Sequence, residues 1–413
     1  MSVEMAPRTG AADRAQRPRP RLGRLLAAWV VAGTLWAATG LAAKAADPGG
    51  ERPVKVVQQD GATRSVGVVH GALGWLAKHQ LPDGGWSFDH GQAPECQGQC
   101  RNPGQLTEAR NAATGLALLA LLGAGNTHTA GPFKTNVKAG LDFLVGGMKV
   151  TEHGGSFHES GGMMYSQGIA TLALCEAYSM TADKGLHVPA QKAIDFIAYA
   201  QDPVGGGWRY QARQKGDLSV TGWQLTALKS AQFGYLNVPP VTVKKASEFL
   251  DSVQADQGAK YGYISPAARK STTAVGLLMR MHLGWKKDNP AHTRGVEWLS
   301  EQGPSKTNMY YNYYGQRLML QVGDETWRKW NTEMRDYLID TQSEEGHEKG
   351  SWYFENGDLG AERGGRLYST AMATMTLEVY YRFLPIYSRP SDRQRWRATH
   401  PDLIPDEEST VPE

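Results

Sequence analysis

Four short segments carry aromatic residues, two of them with an acidic residue as well, in a way that could serve a binding cavity or a reaction. GDLSVTGWQ contains Asp217 and Trp223, and MMYSQG contains Tyr165. NMYYNYYGQ and ERGGRLYST supply Tyr310, Tyr311, Tyr313 and Tyr314, and then Glu362, Arg363, Arg366 and Tyr368. We predict that the aromatic residues, Glu362 and Arg363 contact an elongated apolar ligand, and that Asp217 is the candidate catalytic acid. The alternative is that the tyrosines pack the core and Asp217 caps a helix.

The first 45 residues read as a targeting segment. The basic stretch RPRPRLGRLL precedes LLAAWVVAGTLWAATGLAA at 25–43, which is apolar and about long enough to span a bilayer, and AKA at 43–45 suits a signal peptidase. We expect a signal peptide or an N-terminal membrane anchor at 1–45. The rest of the protein should then be exported, periplasmic or otherwise extracytoplasmic.

The charge balance argues against nucleic acid as a partner. The whole chain carries a formal charge of +3, and the first 45 residues alone contribute six arginines and Lys44 against Glu4 and Asp13. The remainder is therefore slightly acidic, at about −2. A body with this charge has no electrostatic surface for a polyanion.

The close cysteine pair offers a second kind of chemistry. Cys96 and Cys100 lie in PECQGQCRNPG, whereas Cys175 lies in an apolar run and should be a buried hydrophobic residue. In an oxidising compartment we predict a disulfide between Cys96 and Cys100. Free thiols, or half of a metal site with His90 or His128, are the alternatives. Because no second close pair of ligands is evident, we expect no metal and no cofactor.

A repeated helix ending must position these groups. An aromatic residue is followed about five residues later by glutamine, then by glycines, then by a second aromatic residue. Glutamine can satisfy carbonyls of a last helical turn, glycines let the chain reverse, and the second aromatic packs across the turn with its polar edge towards the amide. The leading aromatics are Trp75, Phe143, Phe196, Phe249, Trp298 and Tyr337; Met148 replaces glutamine in the second copy.

Between these copies lie helices that are apolar nearly all round and should be buried. They are expected at 109–125, 165–180, 219–234, 270–284, 310–323 and 368–384. Alternation of a polar and a buried helix, six times over, indicates six inner helices wrapped by outer ones. We expect a linker at 46–65, a toroid at 66–388 and an irregular tail at 389–413.

The repeated set resembles that of squalene cyclases and protein prenyltransferase β subunits, over about residues 66–388. The resemblance implies an all-α (α/α)₆ toroid of the terpenoid cyclase type with a cavity at the ring centre. The catalytic motifs of the family do not follow. Asp217 matches the first acid of the cyclase D-x-D-D motif, but Ser219 and Val220 occupy the next acidic positions. The Asp-x-Cys zinc motif of the prenyltransferases is also missing.

These observations favour an exported toroid that binds an isoprenoid-like molecule or an unidentified envelope protein, and residues 25–43 could tether it to a membrane. A non-canonical terpenoid- or lipid-modifying enzyme is one alternative. A carbohydrate-active toroid, with Asp217 and Glu362 as an acid and base pair, is another. Whether the protein is an enzyme stays open at this stage.

Overall fold

The computed structural model describes residues 62–380, so residues 1–61 and 381–413 lie outside the description. The predicted targeting segment, most of the linker and the C-terminal tail fall in these outer ranges. Among the described residues, no helix combines the length and apolar character needed to cross a bilayer.

Twelve α-helices alternate between two rings in the described part of the chain. The outer ring consists of α1 (Ala62–Lys78), α3 (Lys134–Gly147), α5 (Lys184–Ala200), α7 (Pro240–Val253), α9 (Pro290–Gln302) and α11 (Asp324–Thr341). The inner ring consists of α2 (Arg110–Gly123), α4 (Met163–Thr181), α6 (Leu218–Phe233), α8 (Lys270–His282), α10 (Met309–Val322) and α12 (Leu359–Leu377). Each inner helix contacts the next, and α12 returns to contact α2. The predicted all-α (α/α)₆ toroid is confirmed.

The sequence pattern of each helix explains its ring. Helix α2 is buried on every side from Ala112 to Gly123, as its lack of charge predicts. The outer helix α5 buries only one face, which includes Ile194 and Ile197, and exposes the other. Helix α1 begins at Ala62, before the predicted start of the toroid at residue 66. Ser65, in the predicted linker, is fully buried in this helix.

The glutamine of the repeat joins neighbouring outer helices. Gln201 Nε2 donates to Gly206 O at 2.7 Å in its own turn and to Thr242 O at 2.9 Å in α7. Gly206 has a φ of +77°, and a Cβ there would lie 2.1 Å from Lys245 O, so only glycine fits. The second aromatic works differently from expectation. Trp208 Nε1 donates to a carbonyl of the preceding helix, Ile197 O at 2.8 Å, and not to the glutamine amide.

Four short strands lie in the turns. β1 (Lys149–Thr151) pairs antiparallel with β2 (Gly154–Ser156), so that Lys149 faces Ser156, and β3 (Gln254–Ala255) pairs with β4 (Lys260–Tyr261). These hairpins are local additions to the helical toroid.

The first and last repeats meet at a junction that we call the seam, formed by His79 and residues 89–103, 343–351 and 365–366. Gln342 Nε2 in the last repeat donates to Val68 O in α1 at 2.8 Å, so the repeated contact also closes the ring. Helix α12 breaks at Gly365, where φ is +61°. A Cβ at Gly365 would lie 2.5 Å from Asn102 O, because the loop of the first repeat packs directly on this break. Helix α12 consequently starts nine residues before the predicted 368–384 segment.

Candidate functional site

A cavity of about 1040 Å³ opens where the inner helices begin. All six inner helices contribute to its wall at or just before their first turns. Eight aromatic side chains line it: Phe88, Tyr165, Tyr210, Trp223, Tyr263, Tyr310, Tyr311 and Tyr368. The wall therefore has the size and aromatic character of a small-molecule site.

Seven of the nine predicted ligand-binding residues lie on this wall, namely Tyr165, Trp223, Tyr310, Tyr311, Glu362, Arg363 and Tyr368. Tyr313 and Tyr314 do not line this cavity. They lie about one helical turn further along α10, inside the ring. The Tyr313 ring stacks on Trp223 with centroids 5.3 Å apart, and the Arg317 guanidinium lies 3.4 Å from its other face. Tyr314 is fully buried beside it.

Arg366, the fourth polar residue of the ERGGRLYST segment, points to the seam and not to the cavity. Its guanidinium lies 2.8 Å from Glu348 Oε2, and its Nε donates to Arg101 O at 3.1 Å. The break at Gly365 separates it from Arg363, which lines the cavity mouth.

Asp217 caps helix α6, as the structural alternative proposed. Its Oδ1 accepts from Val220 N at 2.9 Å, and its own N–H donates to Trp208 O at 2.8 Å, which fixes the start of the helix on the preceding turn. The side chain is fully buried and does not line the cavity. Burial raises the pKa of the Asp217 carboxyl, and the Val220 N–H and the Tyr263 hydroxyl offset part of that shift.

Sequence reasoning missed Tyr210 and Tyr263, which connect Asp217 to the cavity. Each lies two residues after the buried aromatic of its turn, Trp208 or Tyr261, and Phe88 holds the same place after Trp86. In extended backbone, residues two apart share a face of the chain. The residue two positions after the second aromatic of these repeats therefore indicates the cavity wall, and this signal is present in the sequence.

The tyrosine hydroxyls on the wall are largely engaged by the protein. Tyr310 Oη donates to Ser219 O at 3.2 Å, and Tyr311 Oη donates to Gly303 O at 3.0 Å. The hydroxyls of Tyr210 and Tyr263 lie 2.8 Å apart in a hydrogen bond. Each of these four hydroxyls therefore already has a hydrogen-bond partner within the protein.

Charged residues gather at the mouth of the cavity. Arg269, Lys270, Glu362 and Arg363 are exposed lining residues, so positive charge prevails there. Asp358 lies deeper and caps α12, with Oδ1 accepting from Gly360 N at 2.8 Å and Oδ2 from Tyr310 N at 2.9 Å. Burial raises the pKa of Asp358, although these N–H groups and the Tyr368 hydroxyl favour its ionised form.

The predicted disulfide is not formed. Cys96, Cys100 and Cys175 are all free thiols. Cys96 and Cys100 instead lie close to His79 and His347. The two sulfurs and one ring nitrogen of each histidine all lie within 4.8 Å of one another. The two histidines considered as metal partners are not among these four residues, although the His90 ring lies beside that of His79 with centroids 5.5 Å apart. His128 pairs with Asp183 at 2.9 Å, and His90 is buried beside Trp75, which lowers its pKa to about 4 by desolvation.

No known family profile and no curated protein matches this sequence. Solved structures match its fold. An inactive variant of an alpha-1,6-mannanase from Salegentibacter sp., in complex with alpha-1,6-mannotriose, is 9% identical, with a TM-score of 0.53 over 77% of this chain and 99% of that chain.

A variant of the type II terpene cyclase MstE from Scytonema, in complex with the product merosterolic acid A, is 13% identical, with a TM-score of 0.53 over 77% of this chain and 97% of that chain. Another MstE variant, in complex with the substrate geranylgeranyl dihydroxybenzoate, is 12% identical, with a TM-score of 0.52 over the same shares. The chain therefore has the α/α toroid fold found in a terpene cyclase and in a glycoside hydrolase.

Proposed function

We propose that the toroid binds an elongated apolar molecule of isoprenoid type in its central cavity, with an anionic end group at the mouth. One observation carries the proposal: the cavity is lined by eight aromatic side chains, and the hydroxyls of four of its tyrosines are already bonded within the protein. An apolar chain gains from ring faces of this kind, whereas a heavily hydroxylated ligand needs free donors and acceptors.

The mouth supports an anionic end group. Arg269, Lys270 and Arg363 outnumber Glu362 among its exposed lining residues. A carboxylate or phosphate there would meet a positive field and remain partly in water, where its desolvation cost is small.

The position of Asp217 favours binding over cyclisation. Direct protonation of an alkene requires an acid that touches the ligand, whereas Asp217 is buried, does not line the cavity and bonds to the wall residue Tyr263. Burial raises the pKa of Tyr263 well above its usual value, so this hydroxyl is a poor acid. The cyclase chemistry of the resemblance is therefore not part of the proposal.

The proposal is tested by identifying what the full chain carries when it is purified from its own host. We expect solvent extraction and mass spectrometry to recover a polyprenoid or related lipid. The double variant Ala112→Phe with Ile169→Phe adds two rings to the cavity wall and should displace it. Val188→Phe, on the exposed face of α5, is the matched control and should retain the lipid.

Recovery of a lipid equally from the cavity-filling variant and the control would refute the cavity proposal. Recovery of a partner protein and no lipid from the wild-type chain would instead support the scaffold interpretation.

A carbohydrate-active toroid is the second candidate, because the toroid of the mannanase holds an oligosaccharide and this cavity also contains Asp358 and Glu362. The Asp217 and Glu362 pair weighed from the sequence is not supported, since Asp217 lies behind the wall. Hydrolysis of an oligosaccharide that is abolished in Glu362→Gln, with folding retained, would favour this candidate over lipid binding.

The extracytoplasmic location remains part of the proposal. Residues 25–43 lie outside the described range, and only their sequence supports export or membrane tethering. Mass spectrometry of the native protein tests this directly. A mature chain that begins near Ala46, or an intact chain in the membrane fraction, agrees with the proposal, and an intact chain in the soluble cytosolic fraction contradicts it.

A further inference from the structure

Four potential metal ligands converge in the seam, away from the cavity wall. They are His79, which directly follows α1, Cys96 and Cys100 in the first-repeat loop, and His347 in the turn before Trp352. Their donor atoms all lie within 4.8 Å of one another. None of the four side chains lines the central cavity.

The measured distances suit a tetrahedral ion. Cys100 Sγ lies 3.4 Å from His79 Nε2 and 3.1 Å from His347 Nδ1. Zinc bonds of about 2.0–2.3 Å at tetrahedral angles place neighbouring donor atoms about 3.3–3.8 Å apart. A small contraction or expansion of the cluster would bring every donor to an ion at its centre.

Hydrogen bonds alone do not account for the arrangement. Cys100 Sγ has two imidazole nitrogens and the His347 carbonyl oxygen within 3.4 Å. A thiol has one proton to donate and its sulfur accepts hydrogen bonds only weakly, so hydrogen bonding stabilises this set of contacts poorly. A cation in the middle would satisfy the sulfur and both nitrogens together.

The surroundings hold His79 in the form that a metal requires. Its Nδ1 lies 2.6 Å from Trp75 O, and because a carbonyl only accepts, Nδ1 must carry the proton. Nε2, which faces Cys100, is left with its lone pair. The imidazole also stacks on the Trp75 ring with centroids 3.9 Å apart, which fixes its orientation.

The loop presents both sulfurs to one side. Cys96 N donates to Ala93 O at 2.9 Å, and Gln99 N donates to Cys96 O at 2.9 Å, which makes consecutive tight turns. Gln97 and Gly98 take positive φ values of +47° and +73° between the two cysteines. A spacing of three intervening residues falls within the range common for zinc-binding pairs.

We propose that His79, Cys96, Cys100 and His347 bind a Zn²⁺ ion that joins the first repeat to the last. Two thiolates and two neutral imidazoles are the donor set that zinc prefers in structural sites, and their charges balance the ion. Four protein ligands leave no position for substrate, so the role is structural. The ion would close the ring between residues 247 positions apart, Cys100 and His347. This proposal replaces the sequence expectation of a disulfide and no metal.

The test is metal analysis of the full chain, purified with a phosphine reductant and without chelator. We expect about one zinc per chain by elemental analysis. Cys100→Ser should lose most of it, and the matched control Cys175→Ser, which removes a buried cysteine outside the cluster, should keep it. Folding of each variant is checked by circular dichroism.

If Cys100→Ser does not fold, His347→Gln gives the same information, since His347 is only half-buried in a turn. It should weaken zinc binding, and His153→Gln at an exposed site should not. Cobalt added to the zinc-free chain should give the visible absorption of a tetrahedral thiolate site. Its absence in folded protein would overturn the proposal.

Thiol alkylation separates the remaining outcomes. Bound zinc predicts cysteines that stay slow to react with the reductant alone and become faster after a chelator. Reactivity that appears with the reductant alone indicates a disulfide and overturns the proposal. Reactivity that the chelator does not change overturns it as well.

Discussion

The cavity and the seam are built from the same repeated turns but use them in different ways. On the cavity wall the tyrosine hydroxyls bond to backbone carbonyls, within one repeat for Tyr311 and Gly303 and between α10 and α6 for Tyr310 and Ser219. At the seam, side chains from the first and last repeats meet one another, as Cys100 meets His347 and Arg101 meets Glu348. The cavity wall is formed by equivalent positions of successive repeats, whereas the seam is formed by one set of contacts between the two ends of the ring.

This difference determines what a substitution should do in each region. A side chain on the cavity wall faces open space on one side, so its loss should change ligand binding more than stability. A side chain at the seam bonds to residues that are far away in the sequence. Its loss should therefore change the stability of the fold more than ligand binding.

Arg366 and Arg363 test the comparison most strongly, because they are three residues apart and serve different regions. Arg366→Ala removes the buried partner of Glu348 and leaves the exposed Arg101 as its remaining ion-pair partner; the side chains of Arg366 and Glu348 are 4% and 12% exposed. Loss of this guanidinium and its charged hydrogen bonds should cost about 1.5–3 kcal/mol of unfolding free energy. Arg363→Ala at the exposed mouth should cost less than about 0.5 kcal/mol and instead weaken binding of an anionic ligand.

Urea denaturation of the two variants measures the first effect, and lipid occupancy measures the second. Equal losses of unfolding free energy would mean that the seam is no more important than the mouth, and would remove the basis of the comparison.

Substitution of Asp217, which lies behind the cavity wall, should lower the unfolding free energy by less than substitution of Arg366. Asp217→Ala removes the oxygen that accepts from Val220 N and should cost about 0.5–2 kcal/mol, whereas Asn keeps an acceptor and should cost little. The ligand content should not change in Asp217→Asn if the residue is a cap. Loss of a measured turnover in the folded Asn variant would contradict the binding proposal and restore a catalytic role.

The sequence predicts the cavity far better than the seam, for a physical reason. Gln201, Gly206 and Trp208 define one turn within a few residues, so the ring and the inner-helix starts can be read locally. The sequence does not show that Tyr313 and Tyr314 lie off the cavity wall. Helix α10 is buried on nearly all sides, so its pattern does not indicate which face meets the cavity.

The seam depends on contacts between the two ends of the repeat series. His347 appears in the sequence as a lone histidine in a loop, and it becomes a neighbour of Cys100 only when α12 reaches α2. The same closure turns Arg366 away from Arg363. A periodic pattern identifies the repeats, but it does not specify which loop side chains meet where the ring closes.

The smallest expected effect is a difference in the pH dependence of stability between two aspartates that both cap a helix. It tests whether water is scarce at the cavity wall. Asp358 on the cavity side accepts from Gly360 N at 2.8 Å, and Asp183 on the outer ring accepts from Gly185 N at 2.8 Å. Burial raises the pKa of Asp358, whereas the Gly185 N–H and then His128 lower the pKa of the exposed Asp183 despite slight desolvation.

The signs of the two pH dependences are therefore opposite. A raised folded-state pKa means that the contribution of Asp358 is fully present below its unfolded-state pKa, and is lost as the pH rises through the folded-state pKa. The lowered pKa of Asp183 means that its contribution is present above the unfolded-state pKa, and is lost as the pH falls through the folded-state pKa. Relative to wild type over about pH 3 to pH 7, Asp358→Asn should gain stability as the pH rises above about pH 4, and Asp183→Asn should lose it as the pH rises to about pH 5. Urea denaturation across that range measures both differences, and a decline for Asp358→Asn would show that water reaches the wall and that the cavity suits a polar ligand.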